Sequence, residues 1–281
     1  MKSKILIFLT VFLLMFSTNN KPLANANENK ISISCSLFPI YDFAREIVKD
    51  YADVKLLLRP GVEPHEFEPS PMDIKILNDS EVFIFTGKNL EHWAERISQS
   101  LSNTLIIEAS ENIEILDNDP HIWLDMNKAV LMLENILKGI CEADPAHSEI
   151  YKNNAEIYMS KLKELDEKFM ALNKNKTLVF AGEFSYNYFV KRYGFNYVSA
   201  YEGENEPSLK SMAEVLKFIR ENGVKYIFAD KFGISKITQS ISEQTGTEIL
   251  TFNSAHMVDG EADFIDIMNE NYKNLELALN D

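Results

Sequence analysis

Residues 150–172 read IYKNNAEIYMSKLKELDEKFMAL, and in this run Ile150, Ala155, Tyr158, Leu162, Leu165, Phe169 and Leu172 recur at spacings near three and four. That period gathers the apolar side chains into one stripe of a single long amphipathic helix whose opposite face is charged. Pro145 stands just ahead of it, where a first helical turn tolerates a residue without an N–H, and Asn173, Lys174 and Asn175 read as its end.

On both sides of this helix the chain repeats one rhythm. Ahead of it, β-rich runs at 31–37, 54–58, 82–86 and 105–108 alternate with helical patterns at 41–51, from Ser70 onward, 90–101 and 126–143. Behind it, strand patterns at 178–181, 197–199, 226–229 and 249–252 alternate with helices at 186–193, 208–222 and 235–245, and a last helix spans 262–279. Strands that alternate with helices predict parallel sheet with crossover helices. The expected fold is therefore α/β: two lobes, each a parallel β-sheet flanked by helices, joined by one long rigid α-helix. The lobes are expected at 27–144 and 174–281, with the linker helix at 145–173.

Residues 1–26 read as a secretory signal peptide, because Lys2 and Lys4 precede the apolar run 5–16 and Ala24-Asn25-Ala26 offers a small-x-small cleavage site. The apolar run falls short of the roughly twenty residues a spanning helix needs. No cysteine follows it closely, which favours a free periplasmic protein over a lipid-anchored one. Cleavage removes three lysines and no acid, taking the net charge from −15 to −18. Such a balance argues against nucleic acid as a partner and suits either solubility or the attraction of cations. Cys35 and Cys141 each sit in apolar patterns typical of buried free thiols, although an oxidising compartment would permit a bridge.

Five histidines are present, and three of them, His65, His121 and His256, fall in loops after or between strand patterns, where open α/β sheets hold ligands. His65 lies in Pro64-His65-Glu66-Phe67-Glu68-Pro69, whose prolines stop helix and strand alike; the string suits a rigid metal ligand or a plain surface loop. His121 follows Asp119-Pro120 and precedes Trp123 and Asp125, so it is either an imidazole held by a neighbouring carboxylate or a helix-terminal residue beside a capping acid. His92 and His147 read as solvated positions.

These residues resemble the zinc- and manganese-binding proteins of bacterial ABC importers. The resemblance covers essentially the whole mature chain and is carried by Phe38-Pro39-Ile40-Tyr41-Asp42, by Pro64-His65-Glu66-Phe67-Glu68-Pro69-Ser70, by Asp119-Pro120-His121-Ile122-Trp123-Leu124 and by Tyr188-Phe189-Val190-Lys191-Arg192-Tyr193-Gly194. It implies that each lobe supplies two ligands to an ion in the cleft between them. His65 and His121 match the first-lobe ligands, and Glu183, eleven residues before Gly194, matches the third. The fourth is usually an acid, but the loop after the final strand offers His256, with Asp259 and Glu261 as substitutes.

Three imidazoles and one carboxylate suit one tetrahedral zinc ion per chain, whereas manganese, the alternative, prefers more oxygen ligands. Four protein ligands would close the sphere that a catalytic zinc keeps open, and no H-E-x-x-H helix follows His65, so a metal-dependent hydrolase is the weaker reading and no enzyme activity is expected. The expected function is that of an extracytoplasmic solute-binding protein, a monomer that delivers a divalent ion to the permease of an ABC importer. Its second-lobe ligands lie in loops free of flanking prolines, which makes that lobe the expected mobile half.

Overall fold

In the computed structural model, the first lobe's strands β1 (Ile31–Cys35), β2 (Ala52–Leu56), β3 (Val82–Phe85) and β4 (Leu105–Glu108) pair in parallel in the order β2-β1-β3-β4. The second lobe repeats that topology with β5 (Leu178–Phe180), β6 (Tyr197–Ser199), β7 (Tyr226–Ala229) and β8 (Glu248–Thr251) in the order β6-β5-β7-β8. The structure describes residues 30–281 except 60–61, 65–66, 117–118, 183, 202–206 and 259–261. The expected signal peptide lies outside the described residues.

Parallel neighbours need crossovers, and helices supply them. The first lobe carries α1 (Phe38–Val48), α2 (Pro71–Asn78), α3 (His92–Ser98) and α4 (Met126–Ala143). The linker is α5 (Ser148–Ala171), preceded by a 3-10 turn over Pro145–His147, and α6 (Asn187–Tyr193), α7 (Leu209–Asn222), α8 (Lys236–Thr245) and α9 (Phe264–Asn280) follow. α1 begins three residues earlier than its apolar pattern suggests, because Pro39 occupies the first turn, where its missing N–H costs nothing. Several other ends are capped. Ser70 and Asp73 form a reciprocal capping box on α2, Ser208 and Ser235 cap α7 and α8, and Gly194, at φ 70°, closes α6 in the left-handed region that a Cβ disfavours.

Alternation along the strands sorts the core into layers. In β3, Val82 and Ile84 face inward, while Phe83 and Phe85 face out against Leu77 of α2 and Trp93 of α3. In the second lobe, Val179 and Ile227 face out against Val215 and Ile219 of α7 and Ile241 of α8. Between the two sheets, α1, α4, α5, α6 and α9 share one continuous core, so residues 31–281 pack as one compact unit rather than as two beads on a rod.

Asp42 of α1 sits at the junction of that middle layer. Its carboxylate accepts from Tyr158 Oη of α5 at 2.7 Å and from the Phe264 N–H opening α9 at 3.2 Å, and pairs with Arg45 at 2.5 Å. Burial pushes its pKa up to about 6 despite these partners. Cys35 and Cys141 are separate free thiols, and burial pushes the Cys35 thiol well up. Among the described residues no helix is long and apolar enough to cross a membrane.

Candidate metal centre

β4 and β8 are the matching edge strands of the two sheets, and each leads into a loop that carries a histidine: His121 in the first lobe, His256 in the second. Their rings lie 6.0 Å apart, centroid to centroid, at an interplanar angle of 55°. Both residues are buried, and the Trp123 ring stands edge-on to His121 at 5.3 Å.

Each imidazole is held at Nδ1 by the residue two positions before it. His121 Nδ1 donates to Asp119 Oδ1 at 2.7 Å, and the His121 backbone N–H reaches the same oxygen at 2.9 Å. A carboxylate can only accept here, which fixes the proton on Nδ1 and the ring's lone pair on Nε2. Burial alone would push the Asp119 carboxyl up, but His121, with Asn187, holds it below the usual range. On the other side, the Ser254 hydroxyl bonds Nδ1 of His256.

The two acids near His121 divide the roles that the sequence left open: Asp119 holds the imidazole, while Asp125 caps α4 by accepting from the Asn127 and Lys128 N–H groups. Around His256 the backbone is tied at successive positions. Ser254 N–H donates to Asp230 Oδ2 at 2.8 Å, Ala255 N–H to Asn253 Oδ1 at 2.8 Å, and Asn271 brackets Asn253 with two bonds of 2.8 Å. Ala255 is left-handed at φ 62° and fully buried, a conformation that costs an L-residue on the order of 1 kcal/mol and persists because its neighbours over-determine it. The described part of this loop is thus tied by hydrogen bonds rather than by prolines.

Among the described residues, hydrogen bonds cross between the lobes at this level. Asn187 Nδ2 donates to Asp119 Oδ2 at 3.0 Å, Trp123 Nε1 to the Ser254 carbonyl at 2.7 Å, and Leu116 N–H to Tyr188 Oη at 2.6 Å. None was evident from the sequence, because Asn187 and Ser254 are an ordinary helix-start and an ordinary loop residue until the fold sets them opposite Asp119 and Trp123.

Of the expected ligands, the structure brings His121 and His256 together; His65, Glu183 and the substitutes Asp259 and Glu261 lie outside the described residues. Among the described residues no set of three or more His, Cys, Asp or Glu forms a metal cage. His92 is exposed at the start of α3. His147 is half-buried rather than solvated, because it bonds Asp144 at 2.7 Å and packs against the Tyr51 ring in closing the turn before α5. A hollow of about 320 Å³ lined by Lys176, Phe218, Lys225 and Leu279 opens at the start of β5 and β7, at the opposite strand ends from the histidine pair, and its Asp281 is ion-paired with Lys225.

The fold and site define a two-lobed α/β protein in which each lobe brings one buried imidazole to the seam. The chain belongs to the family described as zinc-uptake complex component A, periplasmic (ZnuA), whose model matches residues 33–278. The zinc-binding protein AdcA of Streptococcus pyogenes serotype M3 is 28% identical over 99% of this chain, which spans 62% of that relative's length. The high-affinity zinc uptake system protein ZnuA of Bacillus subtilis is 27% identical over 99% of this chain and 97% of its own. The Zn(II)-bound ZnuA-like domain of Streptococcus pneumoniae AdcA superposes with a TM-score of 0.78 at 25% identity, covering 90% of this chain and all of that domain.

Proposed function

We propose that this chain captures one divalent metal ion, zinc in preference to manganese, in the seam between its lobes outside the cytoplasmic membrane, and delivers it to the permease of an ABC importer. The observation that carries this reading is the His121–His256 pair, one imidazole from each lobe, 6.0 Å apart and each held at Nδ1. Two imidazoles on one tetrahedral zinc have ring centroids roughly 5 to 6 Å apart, given Zn–N bonds of about 2.0 Å. His65 and Glu183 complete the ligand set. Nitrogen predominates in it, and that favours zinc over manganese. Relatives named for zinc binding and zinc uptake, one of them a Zn(II)-bound domain, support the same ion.

Elemental analysis of protein purified without chelator, followed by zinc–manganese competition on the stripped form, tests the proposal. One zinc per chain that manganese does not displace is expected. His121→Ala should weaken zinc binding by roughly 100-fold or more, on the scale of a lost first-sphere ligand exceeding the 10–100-fold of an outer-sphere one, while exposed His92→Ala should leave it unchanged. Manganese retained at one per chain would move the cargo to manganese, and a His121→Ala variant with unaltered affinity would remove the site.

A further inference from the structure

The hydrogen bonds around the two histidines are crossed. His121 of the first lobe is aimed by Asp119, and Asp119 is gripped by Asn187, the first residue of α6 in the second lobe. His256 of the second lobe is engaged by Ser254, and the Ser254 carbonyl is gripped by Trp123 of the first. Trp123 is wholly buried and its bond is made away from bulk water, where a polar partner is costly to lose, while the Asn187 bond is partly shielded.

We propose that Asn187 and Trp123 are positioning residues that form a crossed clasp: each lobe aims the other lobe's metal-binding imidazole, so that parting the lobes unsets both at once. The proposal deepens the reading of His121 and His256 as ligands and rests on it. A residue that orients a ligand through a hydrogen bond preorganises the site without touching the ion. Here that contribution exists only while the lobes are together, so a partner that draws them apart lowers the affinity of both imidazoles without attacking either one. Release is thereby coupled to a small displacement at the seam and needs no unfolding of the tied loop around His256.

Asn187→Ala removes one grip, and Trp123→Phe removes the indole N–H while keeping an aromatic ring in the pocket. Each is expected to weaken zinc binding and speed zinc dissociation by roughly 10–100-fold, the usual range for an outer-sphere partner of a metal-binding histidine. Asn187→Asp keeps the size but sets a carboxylate against Asp119, and should lose more than Asn187→Ala. The distinguishing readout is the long-range ¹⁵N–¹H spectrum of the metal-free protein: Asn187→Ala should change the His121 ring signals, and Trp123→Phe those of His256, with thermal midpoints near the parent's. Variants that bind zinc within twofold of the parent, or that lose affinity with both ring signals unchanged, would overturn the clasp. His121→Ala serves as the control. If it abolishes binding while the clasp variants bind normally, only the clasp fails; if it too binds normally, the ligand assignment beneath it fails.

Discussion

The two lobes share a strand order but secure the outgoing ends of their strands with different chemistry. In the first lobe the hold is a buried carboxyl: Glu91, just ahead of α3, is 3% exposed and accepts from the Thr86 N–H at 2.7 Å, the Gly87 N–H at 3.0 Å and the Ser36 hydroxyl, joining the ends of β1 and β3. In the second lobe the exit of β8 is held by a neutral amide, Asn271 of α9, which returns both an acceptor and a donor to the backbone of Asn253. An amide satisfies both backbone groups at any pH. A buried carboxyl group changes its charge with pH, so the Glu91 hold is conditional on pH and the Asn271 hold is not.

The largest expected effect that could break this comparison comes from Glu91→Ala, which strands two backbone N–H groups and a hydroxyl in the interior. At about 1–3 kcal/mol for each unsatisfied group, a loss of roughly 4 kcal/mol or more is expected in denaturant unfolding of the metal-free protein. A loss under about 1 kcal/mol would mean that water or another donor replaces the carboxylate and that Glu91 is no clamp. Glu91→Gln makes a finer cut, because its amide oxygen can take the two N–H groups while its amide nitrogen donates to Ser36. Burial pushes the Glu91 carboxyl from 4.5 up to about 7, with the hydrogen bonds opposing that shift. A raised folded-state pKa stabilises fully below about pH 4.5, and the contribution is lost as pH rises through 7. Glu91→Gln lacks that loss. Its stability relative to the parent should therefore climb between pH 5 and pH 8 by on the order of 3 kcal/mol, or roughly 10 °C in thermal midpoint for a chain of this size. A difference that stays flat across that range would show that the carboxylate is not conditional at all.

The coarse fold was legible because helical and strand periods differ and both persist: β4, β6, β7 and α4 fall where their patterns place them, and the linker helix is unmistakable. Ends were less legible. The run at 90–101 contracts to α3 because Glu91 turns inward to clamp β3 instead of starting a helical turn, and β2 begins two residues before its apolar run because it follows directly from the 3-10 turn at Lys49–Tyr51. Histidines in loops after strands pointed to His121 and His256, which meet at the seam. Their partners Asn187, Ser254, Asp230 and Asn271 were silent, since a polar residue that bonds across tens of positions leaves no local period to read. Trp123 was visible only as an aromatic neighbour; its N–H matters because the second lobe sets a carbonyl in front of it.

Asn271→Ala is the smallest change of the three and the sharpest test of the contrast. It leaves the Asn253 N–H and carbonyl without their partner in a position where Asn271 is 1% exposed, for an expected loss of about 2 kcal/mol. Because an amide does not titrate, that loss should be the same at pH 5 and pH 8, measured beside Glu91→Gln in the same buffers. Asn253 also anchors the N–H of the left-handed Ala255 next to His256, so zinc affinity should fall modestly along with stability. Should the Asn271→Ala loss track pH as steeply as the Glu91→Gln gain, the hold on Asn253 would depend on a titrating group after all, and the division between a titrating hold and a non-titrating one would dissolve.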